Sequence, residues 1–331
     1  MGGVILYNQP ETILEQYDLE IRQVTKGRGA YICDTDCGRK LLVPFRGSKE
    51  RAAFLREILM ELERLGFPAE QVCMTKNDEA VAEDEWGTRY WLKDFVSGSE
   101  CSAGREADMT AALKCLAKLH TLLLSCRMEI PAFMKNERNE PGPLYRRHYR
   151  ELVKVKNYVR SRKSRNAFEL AFQAQYPHYI QNAKDALEIL EEIETGDSPS
   201  EMHLCHGDFN QHNALRTPEG IRIVNFENMG CNEPVVDLAN FTRKMMEKNN
   251  WDTGLGMRLI EAYDSVRTIS AKERKFLYLS LLFPEKFWKL SNHYSNSHKA
   301  WISGRDIEKL NRMIEIEPER MKFLENLFSF Q

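Results

Sequence analysis

His206-Gly207-Asp208, then four residues, then Asn213, is the stretch of this sequence best suited to chemistry. Leu204 and Cys205 before it and Ala214 and Leu215 after it suit a loop held between two strands. On a rigid turn an Asp and an Asn at this separation do two jobs at one phosphoryl group. The carboxylate accepts the proton of an attacking hydroxyl, and the amide oxygen ligates Mg²⁺. Asp208 is therefore the candidate base, with His206 beside it in the catalytic motif, and Asn213 is a candidate metal ligand. The competing reading makes the motif a polar turn and Asn213 a cap.

Such a loop needs a scaffold, and the first hundred residues alternate as strands. Residues 19–24, 31–33 and 40–45 read as alternating strands joined by the glycine-bearing turns 25–30 and 34–38. Lys26-Gly27-Arg28-Gly29 is the candidate phosphate-covering turn, although any hairpin uses glycine where φ is positive. From Ser48 the period becomes helical, with Phe54, Leu55, Ile58, Leu59, Leu62 and Leu65 on one stripe that stops at Gly66-Phe67-Pro68. Two more strands are expected at 71–74 and 88–96, around the acidic turn 78–85. Helices are expected at 109–120 and 168–194, a strand at 220–227, and helices through the last hundred residues. Phe283, Phe287, Trp288, Tyr294 and Trp301 read as an aromatic packing stripe there.

A chain of 331 residues is long enough for two lobes with a substantial core. With 42% hydrophobic and 29% charged residues and a net charge of -2, it has no overall pull toward nucleic acid. Eight cysteines are scattered without a C-x-x-C pair, which suits reduced thiols. There is no signal-peptide pattern and no 18-residue apolar run, so synthesis in the cytosol and no membrane association are expected. The segment 141–165 carries Arg146, Arg147, Arg150, Lys154, Lys156, Arg160, Arg162, Lys163 and Arg165 against the single acid Glu151. With Tyr145, Tyr149, Leu152, Val155 and Val159 on its other side, it is an amphipathic helix whose cationic face is either solvated or docks an acidic partner.

The His-Gly-Asp, four residues, Asn pattern resembles the catalytic loop of the aminoglycoside phosphotransferase/choline-kinase branch of the protein-kinase-like fold. That resemblance implies an α+β, two-lobed protein: a small antiparallel-sheet lobe over 1–97 and a large, mainly helical lobe over 98–331 carrying the loop 206–213. Pro44-Phe45-Arg46-Gly47-Ser48-Lys49-Glu50-Arg51, followed by Phe54-Leu55, and Ser99-Glu100-Cys101 are similar to the third-strand and hinge segments of the CotS-type spore-coat proteins. Members that keep a kinase lysine carry it directly before this proline, where this chain has Val43. The lysine would pair with an acid on the following helix, for which Glu57 is best placed and Glu61 lies one turn on. Lys40 should face away, leaving Lys26 and Arg28 to lend charge from the turn. Lys93 and Phe95, just before the hinge, complete the nucleotide-binding set.

In Asn225-Phe226-Glu227 the resemblance places the second metal ligand at Asn225, where most phosphotransferases have Asp. Glu227 falls outside the metal shell. Asp237 would tie down the catalytic loop, and His120 would be a structural hydrogen-bonder. Val43 and Asn225 both remove charge from where phosphate and Mg²⁺ sit, and phosphoryl transfer depends on electrostatic positioning. The resemblance thus implies a degenerate kinase-like protein of the spore coat of a spore-forming bacterium. It would bind ATP and Mg²⁺ weakly or not at all and meet other coat proteins through 146–165. The alternative is an ATP-dependent phosphotransferase acting on a small hydroxylated molecule.

Overall fold

The computed structural model describes residues 10–126, 128–136, 141–196, 203–296 and 304–329. A short helix α1 (Pro10–Leu14) precedes a five-stranded antiparallel sheet of β1 (Ile21–Lys26), β2 (Tyr31–Thr35), β3 (Gly38–Phe45), β4 (Ala82–Glu83) and β5 (Arg89–Asp94) in the order β1-β2-β3-β5-β4, with α2 (Lys49–Arg64) inserted after β3. Gly29, with φ +75°, takes the left-handed conformation that closes the first hairpin.

Register decides what the sheet shows to each side. Leu41 pairs with Lys93, Val43 with Trp91 and Phe45 with Arg89, so Leu41, Val43, Phe45, Trp91 and Lys93 share one face. Phe45 and Trp91 pack there with Leu55, Ile58, Leu59 and Leu62 of α2. Leu42, Tyr90 and Leu92 on the other face form a separate cluster with Ile13, Leu14 and Tyr17. Ser48 caps α2, its hydroxyl accepting from Arg51 N at 3.2 Å.

The strand expected at 71–74 is not formed. Val72 makes one isolated bridge to Lys93, and the chain then turns away and returns to the same edge of β5 as β4. One strand's worth of pairing is thus divided by a turn in which Asp78 adopts φ +57°.

Past the hinge, β6 (Ser99–Glu100) joins β8 (Ala214–Thr217) and β9 (Gly220–Ile223), while β7 (His203–Cys205) pairs with β10 (Gly230–Asn232). Around these two small sheets stand α3 (Glu106–Ser125), α4 (Ala132–Asn136), α5 (Pro141–Ser161), α6 (Ala167–Thr195), α7 (Val235–Lys248), α8 (Thr253–Asp264), α9 (Ala271–Leu282), α10 (Glu285–Asn296) and α11 (Gly304–Ser329). The basic helix therefore ends at Ser161. Arg162, Lys163 and Arg165 lie in the link to α6, whose start is fixed by a capping box of Asn166 and Glu169.

One apolar core runs from Phe45 and α2 through α3 to α7, α8, α9 and α11. A second, between α5, α6, α10 and α11, is largely aromatic: Phe287 stacks on Phe172 and on Tyr179, and Phe168 on Tyr294. Trp301 lies outside the described residues. All eight cysteines are free. Cys101 packs in the core beside the hinge, where burial pushes its thiol up to about 11.

Candidate active site

The loop after β7 is clamped from below. Asp237, in the first turn of α7, accepts from His206 N at 2.8 Å and from Gly207 N at 3.1 Å. Gly207 has φ +79°, and a Cβ there would run into the carbonyl of Asn228, so only glycine fits. Burial works to raise the Asp237 pKa, but hydrogen bonds from His120 and the backbone hold it below the usual carboxylate range. His120 in turn bonds the Tyr263 hydroxyl at 2.6 Å, as expected of a structural hydrogen-bonder.

His206 is fully buried. Its Nε2 donates to Val224 O at 3.0 Å, and its Nδ1 accepts from Asp208 N at 3.3 Å. With both ring nitrogens engaged by backbone, His206, expected as a catalytic group, is held as a support of the loop. Asp208 is different: its side chain is 47% exposed at the mouth of the cleft, with Lys244 Nζ 3.9 Å from Oδ1. Asn210 Nδ2 and Asn213 Nδ2 donate to Asp208 O at 2.9 and 2.8 Å and hold the residue in place.

Asn213 and Asn225 are brought together, but as partners of each other. Asn225 Nδ2 donates to Asn213 Oδ1 at 2.8 Å, and Asn225 Oδ1 accepts from Lys93 Nζ at 2.9 Å. Asn225 has φ +67°, a left-handed conformation that asparagine tolerates better than most residues. The amide oxygens expected to ligate Mg²⁺ are thus both engaged, one of them by a cation. A hard divalent ion asks for about six oxygens in near-octahedral array, and this set does not fit one.

Lys93, expected among the nucleotide-binding residues, lies at the centre of the site. It is 0% exposed, and besides Asn225 its ammonium donates to Glu70 Oε1 at 3.0 Å and to Glu227 Oε1. Burial opposes its charge, but Glu70 and Glu227 outweigh that and hold its pKa above the ordinary lysine value. Glu70 Oε1 also accepts from Asn225 N at 2.9 Å and Phe226 N at 3.1 Å, which joins the segment after α2 to the large lobe. Burial pushes Glu70 upward and Lys93 pulls it back.

The acid that meets a lysine in the cleft is therefore Glu70 and not Glu57. The buried stripe of α2 runs through Leu55, Ile58, Leu59 and Leu62, and 3.6-residue periodicity turns Glu57 away from Leu55 and Leu59. Glu57 lines an outer groove with Lys49, Arg56 and Met74, while Glu61 pairs with Arg64. Val43 is half-buried on the cleft face opposite Trp91. Lys40, on the other face, pairs with Asp94 at 2.7 Å.

Lys26 and Arg28 are exposed on the β1–β2 turn, closed by Gly27 N donating to Ala30 O. Among the described residues no hydrogen bond or ion pair links their side chains to the cleft. Phe95 lies at the hinge with the Arg39 guanidinium 5.6 Å from its ring centre. Glu70 went unnoticed in the sequence, where its signal is a lone acid between Phe67-Pro68-Ala69 and Val72. Lys93 carries a similar signal within Tyr90-Trp91-Leu92.

Residues 10–327 match the family described as "Spore coat putative kinase YutH". Spore coat protein S of Bacillus subtilis (strain 168) is 24% identical over 327 residues, covering 95% of this chain and 92% of that protein. The crystal structure of an aminoglycoside phosphotransferase from Alicyclobacillus acidocaldarius superposes with a TM-score of 0.85 at 18% identity, covering 98% of this chain and 97% of the other. The AMP-bound spectinomycin phosphotransferase APH(9)-Ia gives a TM-score of 0.64 at 14% identity, with 96% of each chain covered. The fold is that of the two-lobed, kinase-like phosphotransferases.

Proposed function

Because the chain belongs to the spore-coat YutH family, we propose that it is a spore-coat component with a degenerate kinase cleft, serving assembly or structure, with weak or no phosphoryl transfer. The observation that carries this reading is the closed amide pair: Asn225 Nδ2 on Asn213 Oδ1 at 2.8 Å, with Asn225 Oδ1 engaged by Lys93. Val43 adds to it by leaving the third strand without a cation for phosphate. Losing one electrostatic contact of this kind costs about 10²–10³ in rate. ATP is expected to bind weakly and with little dependence on Mg²⁺.

The second reading, ATP-dependent phosphorylation of a small hydroxylated molecule, is favoured by the exposed carboxylate of Asp208 and by a cavity of about 260 Å³ beside Gly207, walled by Tyr145, Asn232, Asn240, Arg243, Ser280 and Glu285. Asp208→Asn separates the two. On the first reading, spores carrying the variant keep a wild-type coat and the protein is incorporated normally. A coat defect equal to that of a null strain, together with ATP turnover in the wild-type protein, would establish the second.

The exposed face of α5, with the link that follows it, is proposed as the contact with an acidic coat partner. Arg146 pairs with Glu194, Arg162 with Glu169, and Lys156 lies over Tyr176, whereas Arg150, Lys154, Arg160 and Lys163 face outward. Those four are the residues that a partner would meet.

A further inference from the structure

We propose that the Lys93 ammonium is a built-in cation that takes over the role of a divalent metal beside Asn213 and Asn225, so that the cleft is assembled without one. This deepens the reading of the cleft as kinase-like and rests on it.

An ammonium has three N–H donors, and each meets an acceptor, from two segments far apart in the chain: Glu70 after α2, and Asn225 and Glu227 at the single turn Phe226–Asn228, which Asn225 caps. Two carboxylates and an amide oxygen are the ligand types that a hard metal ion would choose. The arrangement extends to the catalytic loop through Asn225 Nδ2 on Asn213 Oδ1. A divalent ion on the oxygens of Asn213 and Asn225 would therefore lie beside a buried positive charge, with little solvent to screen the repulsion.

The residue at 225 agrees with this arrangement. An amide gives its oxygen to Lys93 and an N–H to Asn213. A carboxylate there has no N–H to give and would place a third negative charge around one ammonium. The lysine and the asparagine are thus two halves of one substitution: the metal's positive charge moves onto the protein, and the metal's carboxylate is given up.

The test is titration of the full chain with MnCl₂ alone, following free Mn²⁺ by electron paramagnetic resonance and stability by thermal shift, for wild type and for Lys93→Met with Glu70→Gln. The paired change avoids leaving Glu70 as an unpaired buried charge. Wild type is expected to leave Mn²⁺ free, and the folded double variant to bind it about 10–100-fold more tightly, the range over which neighbours of metal ligands tune affinity. A folded double variant with no gain would overturn the proposal. So would wild-type Mn²⁺ binding that disappears in Asn225→Ala, and this arm decides the matter even if the double variant does not fold. Because metal alone is the probe, failure here is separate from failure of the spore-coat role, which is read in spores.

Discussion

The ammonium of Lys93 stays charged in the interior because its donors are all met, and that balance makes the site sensitive to single changes. Lys93→Met leaves Glu70 and Glu227 without their cation, and breaking a buried pair in this way costs about 3–5 kcal/mol. A fall of that size in urea unfolding free energy is the expected result. Val43→Lys, which would restore the lysine implied by the family pattern, is expected to fail as a repair. Glu57 lies on the outer side of α2 and offers no partner, and a second cation on the face that carries Lys93 is repelled. Stability should drop by several kcal/mol and the ATP thermal shift should not increase; a folded variant with stronger, Mg²⁺-dependent ATP binding would disprove this. Asp208→Asn is expected to change stability by no more than about 0.5 kcal/mol, because the side chain is half exposed and the amide oxygen of the variant can still accept from Asn210 Nδ2. Calorimetry of the purified variant measures it.

At the scale of elements, α7 is the base on which the catalytic loop rests, and α3 supports α7 through His120. Burial lowers the His120 pKa below its ordinary 6.5 despite the pull of Asp237. The unfolded chain therefore binds a proton below about pH 6.5 that the folded chain refuses, so stability falls as pH drops from there toward the folded value. The lowered Asp237 acts in the same direction but later, because its contribution is present above the unfolded value near 3.8 and is lost as pH falls through the folded one. Urea midpoints taken from pH 7.5 to 5 should decline in wild type and decline less steeply in His120→Gln. Equal slopes would remove His120 from the account.

For the whole molecule, the lobes are joined by more than the hinge. Glu70 reaches the backbone of Asn225 and Phe226, and from α2 Arg51 Nη2 donates to Met229 O at 2.6 Å. Together with the continuous apolar core, these bonds lead to the expectation of one cooperative unfolding transition, with the small lobe melting together with the large one. The α5 surface is a matter of the same scale. Arg150→Glu, Lys154→Glu and Arg160→Glu together should weaken retention of the protein in the coat and abolish any salt dependence of its association, since exposed charges act over about 8 Å at physiological salt. Arg146 is left out of this set because Glu194 already holds it.

What the chain alone determined is what short-range periodicity carries. The strand alternation, the apolar stripe of α2 and the loop His206–Asp208 with Asn213 are all set by residues within a few positions of one another, while the missing cation at Val43 came from the likeness to a family. Tertiary structure decided the rest. Lys93 meets Glu70 across 23 residues and Asn225 across 132, distances at which no local pattern links one residue to another. The outward face of Glu57 already follows from the stripe of Leu55, Ile58 and Leu59, whereas Glu70 lies beyond the end of α2 and only the folded chain brings it to Lys93. His206 likewise turned from a chemical group into a support, because burial and two backbone partners, both set by the folded loop, used up its nitrogens.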